Sequence, residues 1–71
     1  MATPIELETG GTVWKLMVKA GDTVKTGDTL FIMEVMKMEV PYEAPGDGTI
    51  RAVAIAEGDA VEEGLVALEI E

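Results

Sequence analysis

Gly21-Asp22-Thr23-Val24-Lys25-Thr26-Gly27 returns further along the chain as Gly58-Asp59-Ala60-Val61-Glu62-Glu63-Gly64, an offset of 37 residues. The same offset carries Gly11-Thr12-Val13 onto Gly48-Thr49-Ile50, and Leu16 and Val18 onto Val53 and Ile55. Between the glycines lie short segments rich in Val, Ile, Thr and Leu, shorter than helices usually run, so the pattern favours many short strands joined by tight turns. One small β unit cannot bury its own apolar face. Two copies of it should therefore pack face to face with approximate two-fold symmetry.

Working outward from the repeat, Met38, Val40 and Tyr42 alternate with Lys37, Glu39 and Pro41, which predicts a half-buried strand. Leu68 and Ile70 alternate with Glu69 and Glu71 in the same way. Pro4 precedes the apolar pair Ile5 and Leu7, a position that strand proteins tolerate. The run Leu30-Phe31-Ile32-Met33-Glu34-Val35-Met36 also admits a helical period, but β-branched residues flank it and Pro41 follows closely, so the strand reading is preferred. Asp22, Asp28 and Asp59 recur at turns, where short carboxylates cap backbone N–H groups.

The chain has 71 residues, room for one domain, 1–71, with a thin core. With 48% hydrophobic and 4% aromatic residues, that core must be mostly aliphatic. Cys and His are both absent, which excludes disulfides, thiolate metal sites, Cys nucleophiles and the commonest general base. Ser is absent as well, so a Ser-His-Asp triad is impossible. The net charge of −9 makes nucleic acid an unfavourable partner. No long apolar run suggests a membrane span or a secretory segment, so no membrane insertion is expected and the cytoplasm is the default location.

One segment lies between the two copies: Glu34-Val35-Met36-Lys37-Met38-Glu39. Lys37 is the only cation between Leu30 and Ile50. A lysine amine forms a stable amide when it is exposed and transiently deprotonated, and another enzyme must supply the activated acyl group. For an arbitrary Met-Lys-Met the plain alternative is a solvent-facing lysine on a strand whose two methionines face the core. The symmetric repeat and the central position count against that alternative.

These residues resemble the biotinyl domains of biotin-dependent carboxylases, especially the short free-standing biotin attachment proteins. The resemblance rests on Glu34, Met36, Lys37, Met38 and Glu39, on Val18-Lys19-x-Gly21-Asp22-x-Val24-x-x-Gly27-Asp28-x-Leu30, on Ala44-Pro45-x-x-Gly48, and on Gly58-Asp59-x-Val61-x-x-Gly64, and so covers essentially the whole chain. It implies a lipoyl-like all-β fold: a flattened barrel or sandwich (a barrel-sandwich hybrid) of two quasi-symmetric four-stranded halves, with the lysine on an exposed hairpin. In the family, a segment like Ala44-Pro45-x-x-Gly48 is expected to face that hairpin. The resemblance further implies that a biotin-protein ligase acylates Lys37, and that Glu34, Val35, Met36, Met38 and Glu39 form the motif that enzyme reads. Biotin would be the covalent cofactor. Biotin carboxylase and carboxyltransferase would be the partners between which a carboxyl group travels, as in acetyl-CoA carboxylase, with the carrier itself catalysing nothing and using no metal.

The sequence departs from the family at three places. Val35 stands where Ala is commoner, Glu8-Thr9-Gly10-Gly11 replaces the usual Pro-Met-Pro-Gly, and the segment after Gly64 is short. No insertion interrupts the first half, so the protruding thumb of some bacterial carriers should be absent. A lipoyl domain is the nearest rival, but its lysine typically sits in Asp-Lys-Ala. An unmodified β adaptor would have no use for a central Met-Lys-Met. A tight hairpin usually places Asn or Gly at its tip, so local propensity alone does not put a turn at Lys37. If a turn is there, at least one methionine should be exposed.

Overall fold

The computed structural model describes residues 3–71. Eight strands account for its regular structure: β1 (Thr3–Glu6), β2 (Gly11–Leu16), β3 (Thr23–Val24), β4 (Thr29–Val35), β5 (Met38–Glu43), β6 (Gly48–Val53), β7 (Ala60–Val61) and β8 (Val66–Ile70). The described residues contain no helix, and therefore none long and apolar enough to cross a membrane. Two four-stranded antiparallel sheets form, in the orders β1-β8-β6-β3 and β5-β4-β2-β7.

The repeat accounts for this arrangement strand by strand. Moving 37 residues along the chain turns β1, β2, β3 and β4 into β5, β6, β7 and β8, and turns one sheet order into the other. Registers repeat as well. Ile5↔Leu68 in one sheet corresponds to Tyr42↔Phe31 in the other, and Pro4↔Glu69 corresponds to Pro41↔Ile32. Irregularities recur at matching places, between Val13 and Lys15 in β2 and between Ile50 and Ala52 in β6. The two four-stranded halves expected from the sequence are present, and each sheet draws two strands from each copy: β1 and β3 join β8 and β6, and β5 and β7 join β4 and β2. A strand of two residues has too few ladder bonds to hold its place alone, and the exchange gives it a longer neighbour while interlocking the copies.

Turn chemistry fixes these crossings. The backbone N–H of Lys19 donates to Asp22 Oδ2 at 3.0 Å, and that of Ala56 donates to Asp59 Oδ2 at 3.0 Å, the same bond one repeat later. Asp28 Oδ2 accepts from the Lys25 N–H at 2.9 Å. The three aspartates are thus turn caps, as their positions suggested.

The core lies between the sheets and is almost wholly aliphatic: Ile5, Leu7, Val13, Val24, Leu30, Met33, Ile50, Leu68 and Ile70 form one buried cluster with Phe31, the largest fully buried side chain. Phe31 stacks on Tyr42 with ring centroids 4.6 Å apart. Tyr42 is half-buried, and its hydroxyl accepts the Glu8 backbone N–H at 3.0 Å, tying the chain just beyond β1 to β5. No buried side-chain polar atom among the described residues lacks a partner. Pro4 falls within β1 and Pro41 within β5, each the outer strand of its sheet, where a missing N–H costs no ladder bond and discourages edge pairing.

Candidate functional site

β4 and β5 are the longest pairing in the molecule, in register from Phe31↔Tyr42 to Val35↔Met38, and only Met36 and Lys37 join them. Both turn residues have positive φ, 51° at Met36 and 67° at Lys37. Positive φ at both central positions is the mark of one of the two turns favoured in two-residue hairpins, whose twist matches the right-handed twist of the flanking strands. Asn-Gly normally supplies it. Here two side-chain-bearing residues adopt a backbone that L-residues avoid by about 1–2 kcal/mol each. The strong β4–β5 ladder on either side holds them there. The helical alternative for residues 30–36 is thereby set aside.

The turn projects past the core. Met36 is 91% exposed and Met38 is 67% exposed. Lys37 is exposed and, among the described residues, makes no ion pair. The strand alternation expected from Met38 fails at its first residue: Val40 and Tyr42 are half-buried but Met38 is not. The reason is positional. Met38 pairs with Val35 at the last rung before the turn, where the cover still reaches Val35 on the inner strand in part but no longer reaches Met38 on the outer one. Both methionines therefore flank the lysine in solvent, and the arrangement with both facing the core is excluded.

Glu34 and Glu39, both exposed, sit directly opposite each other across the hairpin. Like charges so placed are mildly destabilising, and among the described residues no cation pairs with either. Val35 is half-buried beside them. Beside the hairpin stem, paired with β4 in the same sheet, runs β2. A Cβ at Gly11 would lie 2.5 Å from the Glu34 carbonyl oxygen and 3.0 Å from Val35 Cγ2. Glycine at this position lets β2 come close enough to brace the hairpin stem. Gly11 stood in the repeat, but its role as a brace is visible only in three dimensions. Gly48, its counterpart one repeat on, meets Glu71 in the same way, with a Cβ 2.6 Å from that carbonyl oxygen.

The structure corrects one expected neighbour. The segment beginning Ala44-Pro45 does not face the lysine turn. It follows β5, whose six extended residues carry the chain to the far end of the hairpin. There the Ala44 N–H donates to the Asp28 carbonyl at 2.8 Å and Asp47 binds Thr26.

The site offers one exposed primary amine on a rigid two-residue tip, with two bare thioethers beside it and two carboxylates below. Among the described residues there is no cluster of His, Cys, Asp or Glu able to hold a metal. An amine so placed fits covalent attachment of an acyl group: a modifying enzyme can surround it, and no neighbouring side chain has to move first.

Comparison with known proteins agrees with this geometry. Residues 1–70 match the family model described as "Biotin-requiring enzyme". The biotin/lipoyl attachment protein of Bacillus subtilis is 42% identical over 66 residues, covering 93% of this chain and 90% of that protein. The alpha subunit of mouse mitochondrial methylcrotonoyl-CoA carboxylase is 54% identical over 48 residues, 68% of this chain and 7% of that subunit. The crystal structure of Kluyveromyces lactis urea carboxylase superposes with a TM-score of 0.90 at 32% identity, over all of this chain and 6% of that one. The chain belongs to the biotin/lipoyl attachment family of biotin-requiring enzymes. It has the role of a biotin carboxyl carrier, with biotin as its covalent cofactor, and it carries rather than catalyses.

Proposed function

We propose that Lys37 is the residue that takes the biotin and that the Met36-Lys37 turn is the working end of the domain. The observation that carries this is the turn itself: a lone amine, fully presented between exposed methionines. In the attachment step Lys37 Nζ, as the free amine, attacks the carbonyl carbon of an acyl-adenylate of biotin. A C–N bond forms, the C–O bond to the phosphate breaks so that AMP leaves, and the nitrogen gives up a proton. A biotin-protein ligase supplies the adenylate from biotin and ATP, since the chain has no nucleotide-binding loop of its own. Met36 and Met38, with Glu34, Val35 and Glu39, form the surface this ligase reads.

Once attached, biotin supplies a ring nitrogen able to carry a carboxyl group between a biotin carboxylase and a carboxyltransferase. The domain's own contribution is positional. β4 and β5 hold the turn rigid, Gly11 braces its stem, and tethering raises the effective concentration of the arm at both active sites. For the acceptor we favour an acyl-CoA, as in acetyl-CoA carboxylase, in keeping with the 54% identity to the methylcrotonoyl-CoA carboxylase subunit. We take the cytoplasm, where ATP and a ligase are both at hand, as the location in this reading. Neither membrane insertion nor nucleic-acid binding forms part of this reading, the latter because of the net charge of −9.

Incubating the Lys37→Ala chain with biotin, ATP and ligase tests the assignment. The variant should fold as the parent does and gain no biotinyl mass, and biotin appearing on it would refute Lys37 as the site.

A further inference from the structure

The two sheets are built on one plan, so each serves as a control for the other. Their outward faces differ. On β2 the residue at the irregularity is Trp14, 44% exposed, and the next residue, Lys15, pairs with Ile32 of β4, which is half-buried. Lys15 rests over the Trp14 ring at 5.4 Å. One repeat later, at the matching positions of β6 and β8, stand Arg51 and Glu69, which form an ion pair at 3.7 Å. Exposed Met17 likewise corresponds to Ala54. The fold thus accepts a charged pair where the hairpin sheet carries tryptophan and isoleucine, so folding does not demand the apolar pair. Trp14 and Ile32 sit on the sheet that bears Lys37, and Ile32 pairs with Pro41, an exposed residue of the same hairpin.

Distance places this strip within reach of whatever acts on Lys37. Three residues of β4, about 10 Å, separate Ile32 from Val35 at the foot of the turn. A lysine side chain is short, so an enzyme that acylates the bare amine must close over the hairpin itself. An interface of ordinary size, about 800 Å² on each partner, extends roughly 16 Å from its centre. Centred on Lys37, it cannot be filled by a two-residue turn and must spread over an adjoining surface. The outward face of the hairpin sheet offers an apolar strip, preceded by the unpaired carboxylates of Glu34 and Glu39. A second copy of this chain, also at −9, is repelled from that face. An enzyme whose site holds an anionic acyl-adenylate is lined with cations and complements it.

Resting on the reading of Lys37 above, we propose that Trp14 and Ile32 form the second half of the docking surface for the biotin-protein ligase, with Glu34 and Glu39 as the acidic strip between them and the lysine turn. Tryptophan is among the residue types enriched where a few side chains carry most of an interface's binding energy.

The test gives the hairpin sheet its counterpart's residues. Trp14→Arg with Ile32→Glu copies a pair the fold already holds, and Trp14→Arg alone serves should the double variant melt early. With biotin, ATP and a biotin-protein ligase, the double variant should show a KM for the carrier raised about tenfold or more, with kcat close to the parent's. Arg51→Ala with Glu69→Ala should leave both unchanged. Chains also carrying Lys37→Ala, which cannot react, should show the same loss in calorimetric Kd for the ligase. Equal KM and Kd for the parent and the Trp14/Ile32 variant would overturn the proposal, as would parent chains that self-associate through this face in sedimentation while the variant does not. A parent chain that takes no biotin at all would instead overturn the reading of Lys37, on which this one rests.

Discussion

Replacing Lys37 by glycine should make the domain more stable, and comparison with alanine isolates why. Lys37 holds φ at 67° and Met36 holds 51°. A left-handed backbone costs an L-residue about 1–2 kcal/mol, and glycine escapes that cost. Glycine loses more chain entropy on folding, about 0.5–1 kcal/mol relative to alanine. The difference leaves Lys37→Gly ahead of Lys37→Ala by about 1 kcal/mol. In a domain of this size that shifts Tm by roughly 4–8 °C. Both variants lack the amine and carry no biotin, so ligation does not enter the comparison, and the exposed lysine side chain contributes no buried area. Thermal melts followed by far-ultraviolet circular dichroism, with Trp14 fluorescence as a second probe, give the two midpoints. If the glycine variant melts at or below the alanine variant, the left-handed turn at Lys37 is wrong, and with it the argument that the ladder holds a strained tip.

Other consequences follow from the same geometry. Met36→Asp with Met38→Ala brings the turn towards the Asp-Lys-Ala of lipoyl domains, and parallel assays with lipoate and biotin ligases should show preference moving towards lipoate; an unchanged preference would remove the methionines from the recognition argument. Gly11→Ala places a Cβ 2.5 Å from the Glu34 carbonyl, and should cost about 1–3 kcal/mol in urea unfolding through overpacking; a stability equal to the parent's would contradict the close approach of β2. Asp47 is held below the ordinary carboxylate value by the Thr26 backbone N–H at 2.9 Å and then by the Thr26 hydroxyl at 3.1 Å. Because its folded pKa is depressed, its contribution is present above the unfolded carboxylate pKa and is lost as pH falls through the folded value. Asp47→Asn should therefore flatten the acid limb of the stability-pH curve, and an unaltered acid limb would show that the Thr26 bonds are not maintained in solution.

Much of this molecule can be read before any coordinates are seen, because the chain states its plan twice. The 37-residue offset between the Gly-Asp segments announces both the all-β class and the two-fold relation, and Asp22 and Asp59 cap the turns their positions suggest. Other features depend on tertiary context. Nothing local in Thr23-Val24 says that the strand pairs with a strand of the other copy. Nothing local in Met36-Lys37 specifies a left-handed turn, since lysine and methionine avoid that backbone; the ladder from Phe31 to Val35 imposes it. Met38 fits a half-buried alternation and yet lies in solvent, because burial depends on where the opposite sheet stops. Trp14 and Ile32 were within reach of the sequence. Setting the copies side by side pairs them with Arg51 and Glu69, and only the outward direction of all four had to come from the fold.

Whether biotin is carried on Lys37 is read from the intact mass of the folded chain after incubation with biotin, ATP and a biotin-protein ligase, followed by peptide mapping. A single biotinyl addition, located on Lys37, is expected. A folded chain with no addition, or with its biotin on Lys15, Lys19 or Lys25, would contradict the assignment.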